Sequence, residues 1–177
     1  IYISKIPEKR VLLFCSDDTI PTDRRNTAYR AAERLLGQLH CSWGVRIFIE
    51  KWIPHGAGLG GGSSNAASVL KGINILAGSP FSWHNLFPIG TSIGADVLFF
   101  MYQGCCFVSG IGDRIVPIHV NLSGREAHVV LCSPKVHIST QWAYQLWDQS
   151  KKRKNKNPAK LIEALSQRDW KRVSQNL

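Results

Sequence analysis

The sequence lacks the features of several large protein classes. Its apolar runs are short: VLFFMY at 97–102 has the length of a core strand, far below the eighteen or so residues of a membrane span. The chain begins IYISKIPEKR, without a Met and without the charged-then-apolar pattern of a secretory signal. We therefore expect a piece of a longer protein with no membrane partner, in the cytoplasm or, in a plant or alga, the plastid stroma.

Cysteine pairs and metal-ligand clusters are also missing. The five cysteines include no CxxC pair, and no group of His and Cys has the spacing of a zinc site. Free thiols in a reducing compartment are the simplest interpretation, and no metal-ligating residue is predicted.

Acidic residues are scarce, and the formal net charge is +10. Six of the 22 Lys and Arg lie in KKRKNKNPAK at 151–160, a run typical of a solvated loop. Aromatic residues do not interleave with it, and there is no RNA-binding or helix-turn-helix signature. A nucleic-acid partner is therefore not predicted, although strong salt dependence of binding to any polyanion would restore that alternative.

Apolar periodicity predicts the elements of the first half. Residues 23–39 place alanines and leucines on one helical face with Asp23 as the cap, and VRIFIE at 45–50 alternates as a strand. A second helix follows a glycine-rich stretch, with Ser63 or Ser64 as its predicted cap, and a short helix is expected after it.

The second half is predicted to change from strands to helices. ADVLFFMY and CCFVSG are expected to be strands joined by a turn at Gln103-Gly104, and RIVPIHV and AHVVLCS add two more. From Ser139 onward the pattern is helical. The fold class is therefore predicted to be α+β, with a second domain from about residue 123.

The glycine-rich stretch HGAGLGGGSSN at 55–65 lies between a strand and a helix. A dinucleotide fingerprint would need an acidic residue about twenty positions on, and no Asp or Glu occurs between Glu50 and Asp96. A Walker loop would need a Lys beside the last glycine, where this chain has Ser63 and Ser64. What remains is a phosphate site made of backbone N–H groups at a helix N-terminus, with a flexible surface linker as the alternative.

Four segments, in order, resemble one kinase family. PHGAGLGGGSSNAA at 54–67 resembles the second motif of the galactose/homoserine/mevalonate/phosphomevalonate (GHMP) kinase superfamily. RNTAYRAAERLL at 25–36 resembles its first helix, IGADVLFF at 93–100 a later conserved segment, and STQWAYQLWD at 139–148 the start of its second domain. The GGGSSNAA form is most similar to the members that act on 4-diphosphocytidyl-2-C-methyl-D-erythritol.

The resemblance implies a two-domain α+β kinase fold, with an ATP-binding domain over 1–122 and the start of a substrate-side domain over 123–177. It implies phosphorylation of a hydroxyl on a cytidine-diphosphate carrier, in the non-mevalonate route to isoprenoid precursors, with ATP and Mg²⁺. It assigns Asp96 to catalysis and Thr140 and Tyr144 to the substrate. The residues that it assigns to ATP are Asn26, Lys51, Pro54, His55, Gly56, Ala57, Gly58, Leu59, Gly60, Gly61, Gly62, Ser63 and Ser64.

These side chains also have structural alternatives. A carboxylate at Asp96 fits the proton acceptor of phosphoryl transfer but also a helix or turn cap. Tyr144 fits a partner that stacks on cytosine or a core aromatic, and Lys51 fits a nucleotide contact or a solvated charge at a strand end. His55 departs from the family's small or sulfur-bearing apolar residue, and we expect no role for its side chain.

The chain also departs from the family elsewhere. The N-terminal strand with the catalytic lysine, and the histidine and tyrosine that hold cytidine, have no counterpart, since Lys5 and Lys9 do not match it; the third glycine-rich motif is absent. Leu98 replaces a proline, and Pro88 falls within a helix of the family, which is therefore expected to break or to start late. We expect these residues alone to turn over little or no ATP.

Two other functions stay open. Homoserine, mevalonate and galactose kinases share the glycine motif; the GGGSSNAA form and the GADV segment disfavour them, but only a substrate test excludes them. A nucleotide-binding module without catalysis is the alternative outside the enzymes; the presence of Asp96 and Ser64 argues against it, and the missing lysine segment leaves it open.

Overall fold

The computed structural model describes residues 1–102, 104–112, 114–120, 128–132, 138–150 and 157–176. The chain divides into two compact units, 1–116 and 117–177. The first half contains β1 (Tyr2–Ile6), β2 (Val11–Cys15), α1 (Thr27–Leu39), β3 (Gly44–Ile49) and α2 (Gly61–Leu76). The elements that follow are α3 (Trp83–Ile93), α4 (Ala95–Met101), β4 (Cys106–Ser109), β5 (Arg114–Pro117), α5 (Thr140–Gln149), α6 (Pro158–Ser166) and α7 (Trp170–Asn176).

A three-stranded sheet in the first unit has the strand order β1-β3-β2. β3 pairs antiparallel with β1 and parallel with β2, so Phe48 is opposite Tyr2 on one side and Phe14 on the other. The parallel pair needs a crossover connection, and α1 supplies it. Gly44 passes so close to the turn between β1 and β2 that a Cβ there would overlap the carbonyl oxygen of Arg10. Glycine is therefore the residue that lets β3 enter between the other two strands.

The core lies between one face of this sheet and the helices α1 and α2. β3 buries Val45, Ile47 and Ile49, and burial of each such side chain contributes about 1.5 to 3 kcal/mol. The two helices pack through small residues that are at most 3% exposed: Ala28, Ala31, Ala32, Ala66 and Ala67. Because these side chains are short, the helices approach closely and their first turns come into contact.

Most of the predicted elements are confirmed. α1, β3 and α2 occupy the stretches predicted for them, and α3 is the expected short helix. CCFVSG and RIVPIHV contain β4 and β5, which pair with each other. α5, α6 and α7 confirm the helical end of the chain, and the α+β fold class is confirmed with them.

The strand predicted for ADVLFFMY is wrong, because these residues form α4. Val97, Leu98 and Met101 are buried at the three- and four-residue spacing of a helix. The strand pair predicted for ADVLFFMY and CCFVSG is therefore not formed, and Gln103 of the turn predicted between them lies outside the described residues. A short apolar run does not distinguish a strand from a buried helix by its periodicity.

The break or late start expected because of Pro88 is also wrong, since α3 runs from Trp83 through Pro88 to Ile93. The helix ends at Gly94 instead, where an extended backbone with φ 178° and ψ 148° separates α3 from α4. This junction sets the start of α4 and hence the position of Asp96.

Two strands were not predicted and one predicted strand is not seen. β1 and β2 lie at the sheet's two edges, and their sequences YISKI and VLLFC lack a clean alternation. Of AHVVLCS, the described residues 128–132 form no strand. Residues 121–127 and the basic run at 151–156 lie outside the described residues, so the domain boundary at 122/123 stays a prediction.

Candidate active site

The loop before α2 has a left-handed backbone at three alternate glycines. Gly56, Gly58 and Gly60 have φ angles of 71°, 70° and 67°. A residue with a Cβ adopts this conformation at a cost of about 1 to 2 kcal/mol. The path of the loop therefore requires glycine at these positions, and the lack of side chains leaves its backbone N–H groups accessible to a ligand.

The N-terminus of α2 has no side-chain cap. Gly60 is the N-cap residue and the helix begins at Gly61, so the prediction that Ser63 or Ser64 caps it is wrong. Ser64 lies in the first turn, where its N–H donates to the Gly60 carbonyl at 2.9 Å. No acidic residue occurs in this turn. The first N–H groups and the positive end of the helix dipole are thus available to an anion.

A cleft of about 280 Å³ opens over this loop. It brings together nearly all residues that the resemblance assigns to ATP, namely Asn26, Lys51 and the loop residues from Pro54 to Ser63. Ser64 does not line it. The cleft also includes residues that the sequence analysis did not single out: Ile20, Pro21, Arg25, Thr27 and Asn65. Their nearness in sequence to Asn26 and the loop is the signal that could have identified them.

Lys51 reaches the start of α2 from the residues that follow β3. Its backbone N–H donates to the Ser16 hydroxyl oxygen at 2.8 Å. A Cβ added to Gly61 would lie 2.8 Å from Lys51 Nζ. The ammonium therefore lies against the first residue of α2, although no Lys follows the glycines as in a Walker loop.

Asp17 is a charged residue near the cleft that the sequence analysis missed. Its carboxylate accepts hydrogen bonds from the Thr19 hydroxyl at 2.6 Å and the Thr19 N–H at 3.0 Å. These bonds, together with weaker attraction from His55 and Lys51, hold the pKa of Asp17 below its ordinary value. The spacing Asp17-x-Thr19 is the only signal of this turn in the sequence.

Asn26 is buried at the start of α1, with 9% of its surface exposed. Its Oδ1 accepts from the Ala28 N–H at 2.9 Å, and its Nδ2 donates to the Pro21 carbonyl at 2.8 Å. Asn26 is therefore the cap of α1, and the prediction of Asp23 is wrong; Asp23 pairs instead with Arg25 at 2.8 Å. Both polar groups of Asn26 already hold the backbone beside the cleft.

α1 is also tied directly to the loop. The Thr27 hydroxyl donates to the Gly62 carbonyl at 2.7 Å. Because Thr27 is the first residue of α1, this bond fixes the first turn of α2 relative to the first turn of α1.

Asp96 is exposed in the first turn of α4, and it lines a second cavity of about 410 Å³. Gly58, Leu59 and Gly60 line this cavity too, so the glycine loop borders both it and the cleft. The N-cap of α4 is Gly94 and no side chain caps the helix, so Asp96 is not engaged as a cap. Its carboxylate is thus accessible beside the loop.

The two residues assigned to the substrate lie in the second unit. Thr140 is the first residue of α5, and its side chain lies outside the described part of the structure. Tyr144 is on the same helix and 68% exposed, so it is not a buried core aromatic.

Within the described ranges, no three His, Cys, Asp or Glu side chains are grouped so that they could hold a metal ion. None of the helices in those ranges has the length and apolarity to cross a membrane.

The sequence matches the family model described as GHMP kinases N terminal domain over residues 26–104. A curated relative from Caldicellulosiruptor bescii, 4-diphosphocytidyl-2-C-methyl-D-erythritol kinase, is 39% identical over 177 residues, which are 100% of this chain and 61% of the relative. The curated relatives it matches are thus longer: the chain spans 61% of this one and 60% of another.

Two solved structures have a similar fold. A crystal structure of 4-(cytidine 5'-diphospho)-2C-methyl-D-erythritol kinase has a TM-score of 0.67 and 29% identity, covering 93% of this chain and 57% of that one. A homoserine kinase from Cytophaga hutchinsonii has a TM-score of 0.68 and 21% identity, covering 98% and 60%, and supports the fold alone. The motifs at 54–67 and 93–100 both lie within the range that the family model matches. Residues 26–104 of the chain therefore match the N-terminal domain of the GHMP kinases in sequence, and the fold is similar to that of the two kinase structures.

Proposed function

We propose that this chain carries the nucleotide-binding part of an ATP-dependent kinase that phosphorylates a hydroxyl of 4-diphosphocytidyl-2-C-methyl-D-erythritol, in the non-mevalonate route to isoprenoid precursors. The observation that supports this most is that the glycine loop borders both the cleft and the cavity of Asp96. A phosphate group bound at the loop would thus lie beside the cavity that the Asp96 carboxylate lines. The choice of alcohol rests on the motif form and on the names of the relatives.

The proposed phosphate site uses the start of α2. The uncapped N–H groups of its first turn donate to phosphate oxygens, and Lys51 adds a positive charge beside Gly61. A hydrogen bond to a charged group contributes about 1.5 to 3 kcal/mol, several times more than the helix dipole alone at an exposed site. The Lys51 ammonium and each backbone N–H are therefore expected to contribute comparably to affinity, and the backbone also fixes the orientation of the phosphates.

In the proposed reaction the substrate hydroxyl oxygen attacks the γ-phosphorus of ATP. A new P–O bond forms, the bond from the γ-phosphorus to the β–γ bridging oxygen breaks, and ADP leaves. The hydroxyl proton passes to the carboxylate of Asp96. Positioning and charge stabilisation supply most of the rate in such transfers, and a positioned base adds about 10²- to 10⁴-fold.

Mg²⁺ fits the donor set around the loop. It prefers oxygen ligands, keeps several waters and usually binds through substrate phosphates with one or two carboxylates. The Asp96 carboxylate and the Ser63 hydroxyl are among the oxygen donors that border the loop. When bound, the ion would neutralise charge on the phosphates.

Thr140 and Tyr144 are proposed to contact the cytidine end of the substrate. The exposed ring of Tyr144 can stack on cytosine, and base–aromatic stacking contributes about 1 to 3 kcal/mol per base.

The test uses the full-length gene product, with ATP and Mg²⁺ and one of three alcohols: the diphosphocytidyl substrate, homoserine or mevalonate. ADP release is measured for the natural protein, for Asp96→Asn and for Glu8→Gln, an exposed acid in the turn between β1 and β2. We expect turnover of the diphosphocytidyl substrate, a loss of about 10²- to 10⁴-fold in kcat for Asp96→Asn, and no change for Glu8→Gln.

Turnover of homoserine or mevalonate alone would retain the phosphate site and reject the substrate. Equal kcat for Asp96→Asn and the natural protein would reject Asp96 as the base. Absence of all turnover despite ATP binding would favour a nucleotide-binding module.

A further inference from the structure

α4 is in direct contact with the glycine loop through one aromatic ring. A Cβ added to Gly60 would lie 2.6 Å from both Cε2 and Cζ of Phe100. The edge of this ring therefore packs against the Cα of the residue that precedes α2. Two features thus require glycine at position 60: its left-handed backbone and the contact with the Phe100 ring.

Phe100 and Asp96 lie on the same face of α4. They are four residues apart, which is one helical turn, and both line the cavity that includes Gly58, Leu59 and Gly60. The ring thus contacts the loop one helical turn beyond the residue that carries the carboxylate.

The other end of α4 is held by separate contacts. Arg30 Nη2 of α1 donates to the Ile93 carbonyl at 3.3 Å, just before the junction at Gly94. A Cβ on Gly112, in the turn between β4 and β5, would lie 3.0 Å from the Ala95 Cβ. These contacts and the contact of Phe100 with Gly60 hold the two ends of α4, with Asp96 on the helix between them.

We infer that Phe100 is a positioning residue that couples occupancy of the glycine loop to the position of α4, and so sets the placement of the Asp96 carboxylate. The inference rests on the proposed function. Protein interiors are close-packed, so a small displacement of Gly60 on phosphate binding is transmitted to a ring in contact with it. The geometry needed for phosphoryl transfer is strict, and a misplacement of about 1 Å can cost about 10²-fold in rate.

The test again uses the full-length protein and compares Phe100→Leu, Phe100→Met and Phe87→Leu. Phe87 is a matched control, because its half-buried ring packs against Tyr102 at 5.2 Å and does not line either cavity. Hydrogen exchange of the amides at 95–101 is measured with and without ADP, and kcat and the KM for ATP are measured alongside.

We expect ADP to slow exchange in α4 in the natural protein and in Phe87→Leu, with this protection lost in Phe100→Leu and Phe100→Met. We expect kcat to fall about 10-fold or more for both Phe100 variants, with a smaller change in the KM for ATP, and to stay within about twofold for Phe87→Leu.

Two results would overturn the inference: ADP that binds the natural protein without protecting α4, or equal losses of kcat in Phe100→Leu and Phe87→Leu. A natural protein that binds no ADP would instead reject the proposed function, and the inference with it.

Discussion

Two helices begin beside the glycine loop, and their first turns are built in opposite ways. α2 starts at a left-handed Gly60 and has no acidic residue in its first turn, whereas α4 starts at an extended Gly94 and carries Asp96 there. A helix N-terminus favours negative charge within that turn. In α4 the Asp96 carboxylate supplies this negative charge. In α2 no side chain supplies it, so a bound anion can do so.

The other helices with a described cap make the contrast sharper. α1, α3, α5 and α6 are all capped by a short polar side chain: Asn26, Ser82, Ser139 and Asn157. Such caps typically stabilise a helix by about 1 kcal/mol. α2 lacks this stabilisation at the place where the proposed phosphate would bind. The missing cap leaves the first N–H groups of α2 available to that phosphate.

The largest effect is expected from an acid placed in the first turn of α2. Ser63→Asp should weaken ATP binding by about 100-fold, because two like charges at 4 Å repel by several kcal/mol near a protein surface. The same change should stabilise the free protein by about 0.3 to 1 kcal/mol through the helix dipole. Calorimetric titration and thermal unfolding measure the two effects. Ser68→Asp, an exposed position farther along α2, is the control and should change neither by much.

Gly60→Ala should destabilise the protein by about 2 kcal/mol, since the left-handed backbone and the ring of Phe100 both oppose a Cβ. Gly37→Ala is the matched change. Gly37 is inside α1 with no atom within 4 Å of an added Cβ, so alanine should stabilise the helix by about 0.5 to 1 kcal/mol. Urea unfolding compares them, and a Gly60→Ala variant as stable as Gly37→Ala would contradict the observed loop conformation.

Lys51→Met should weaken ATP binding about 10-fold, which is the loss of one charge-assisted hydrogen bond. Lys71→Met removes the same charge from the exposed side of α2, where Lys71 lies over the Trp83 ring at 5.9 Å, and should have little effect. The salt dependence of affinity should also decrease only in Lys51→Met. Equal affinities for the two variants would place the phosphates elsewhere.

Asn26→Ala should have the smallest effect on the nucleotide and cost about 1 kcal/mol of stability, because the residue caps α1. Asp23→Asn, which breaks only an exposed ion pair with Arg25, should stay within about 0.5 kcal/mol. Thermal unfolding and ATP titration are measured on both. A loss of ATP affinity in Asn26→Ala without a loss of stability would make Asn26 a nucleotide contact and not a cap.

The sequence alone was sufficient for the parts of the site that depend on local chemistry. The glycine motif predicts the loop at a helix N-terminus, and α1, β3 and α2 follow from periodicity over long stretches. The placement of Asp96 could not be predicted in this way. The run that contains it is short and apolar, and only tertiary packing of Val97 and Met101 shows that it is a helix.

Contacts between segments that are distant in sequence could not be predicted from the sequence either. The hydrogen bond from Thr27 to Gly62 joins residues 35 positions apart, and Phe100 meets Gly60 across a comparable distance along the chain. Propensity also misplaced the caps, since Ser63 and Asp23 are both good capping residues that the structure does not use as caps. Where several residues near a helix start could serve as the N-cap, tertiary packing decides which one does.

The strand order of the first unit has a consequence for how the chain folds. β1 and β2 are neighbours in sequence, but β3 separates them, and Gly44 is what allows its entry. During synthesis β1 and β2 both emerge before β3, and neither can pair with β3 until residue 49 has left the ribosome. A premature hairpin between them would have to open before β3 could insert, so the sheet should form late, in one cooperative step with α1, and slowly for its size.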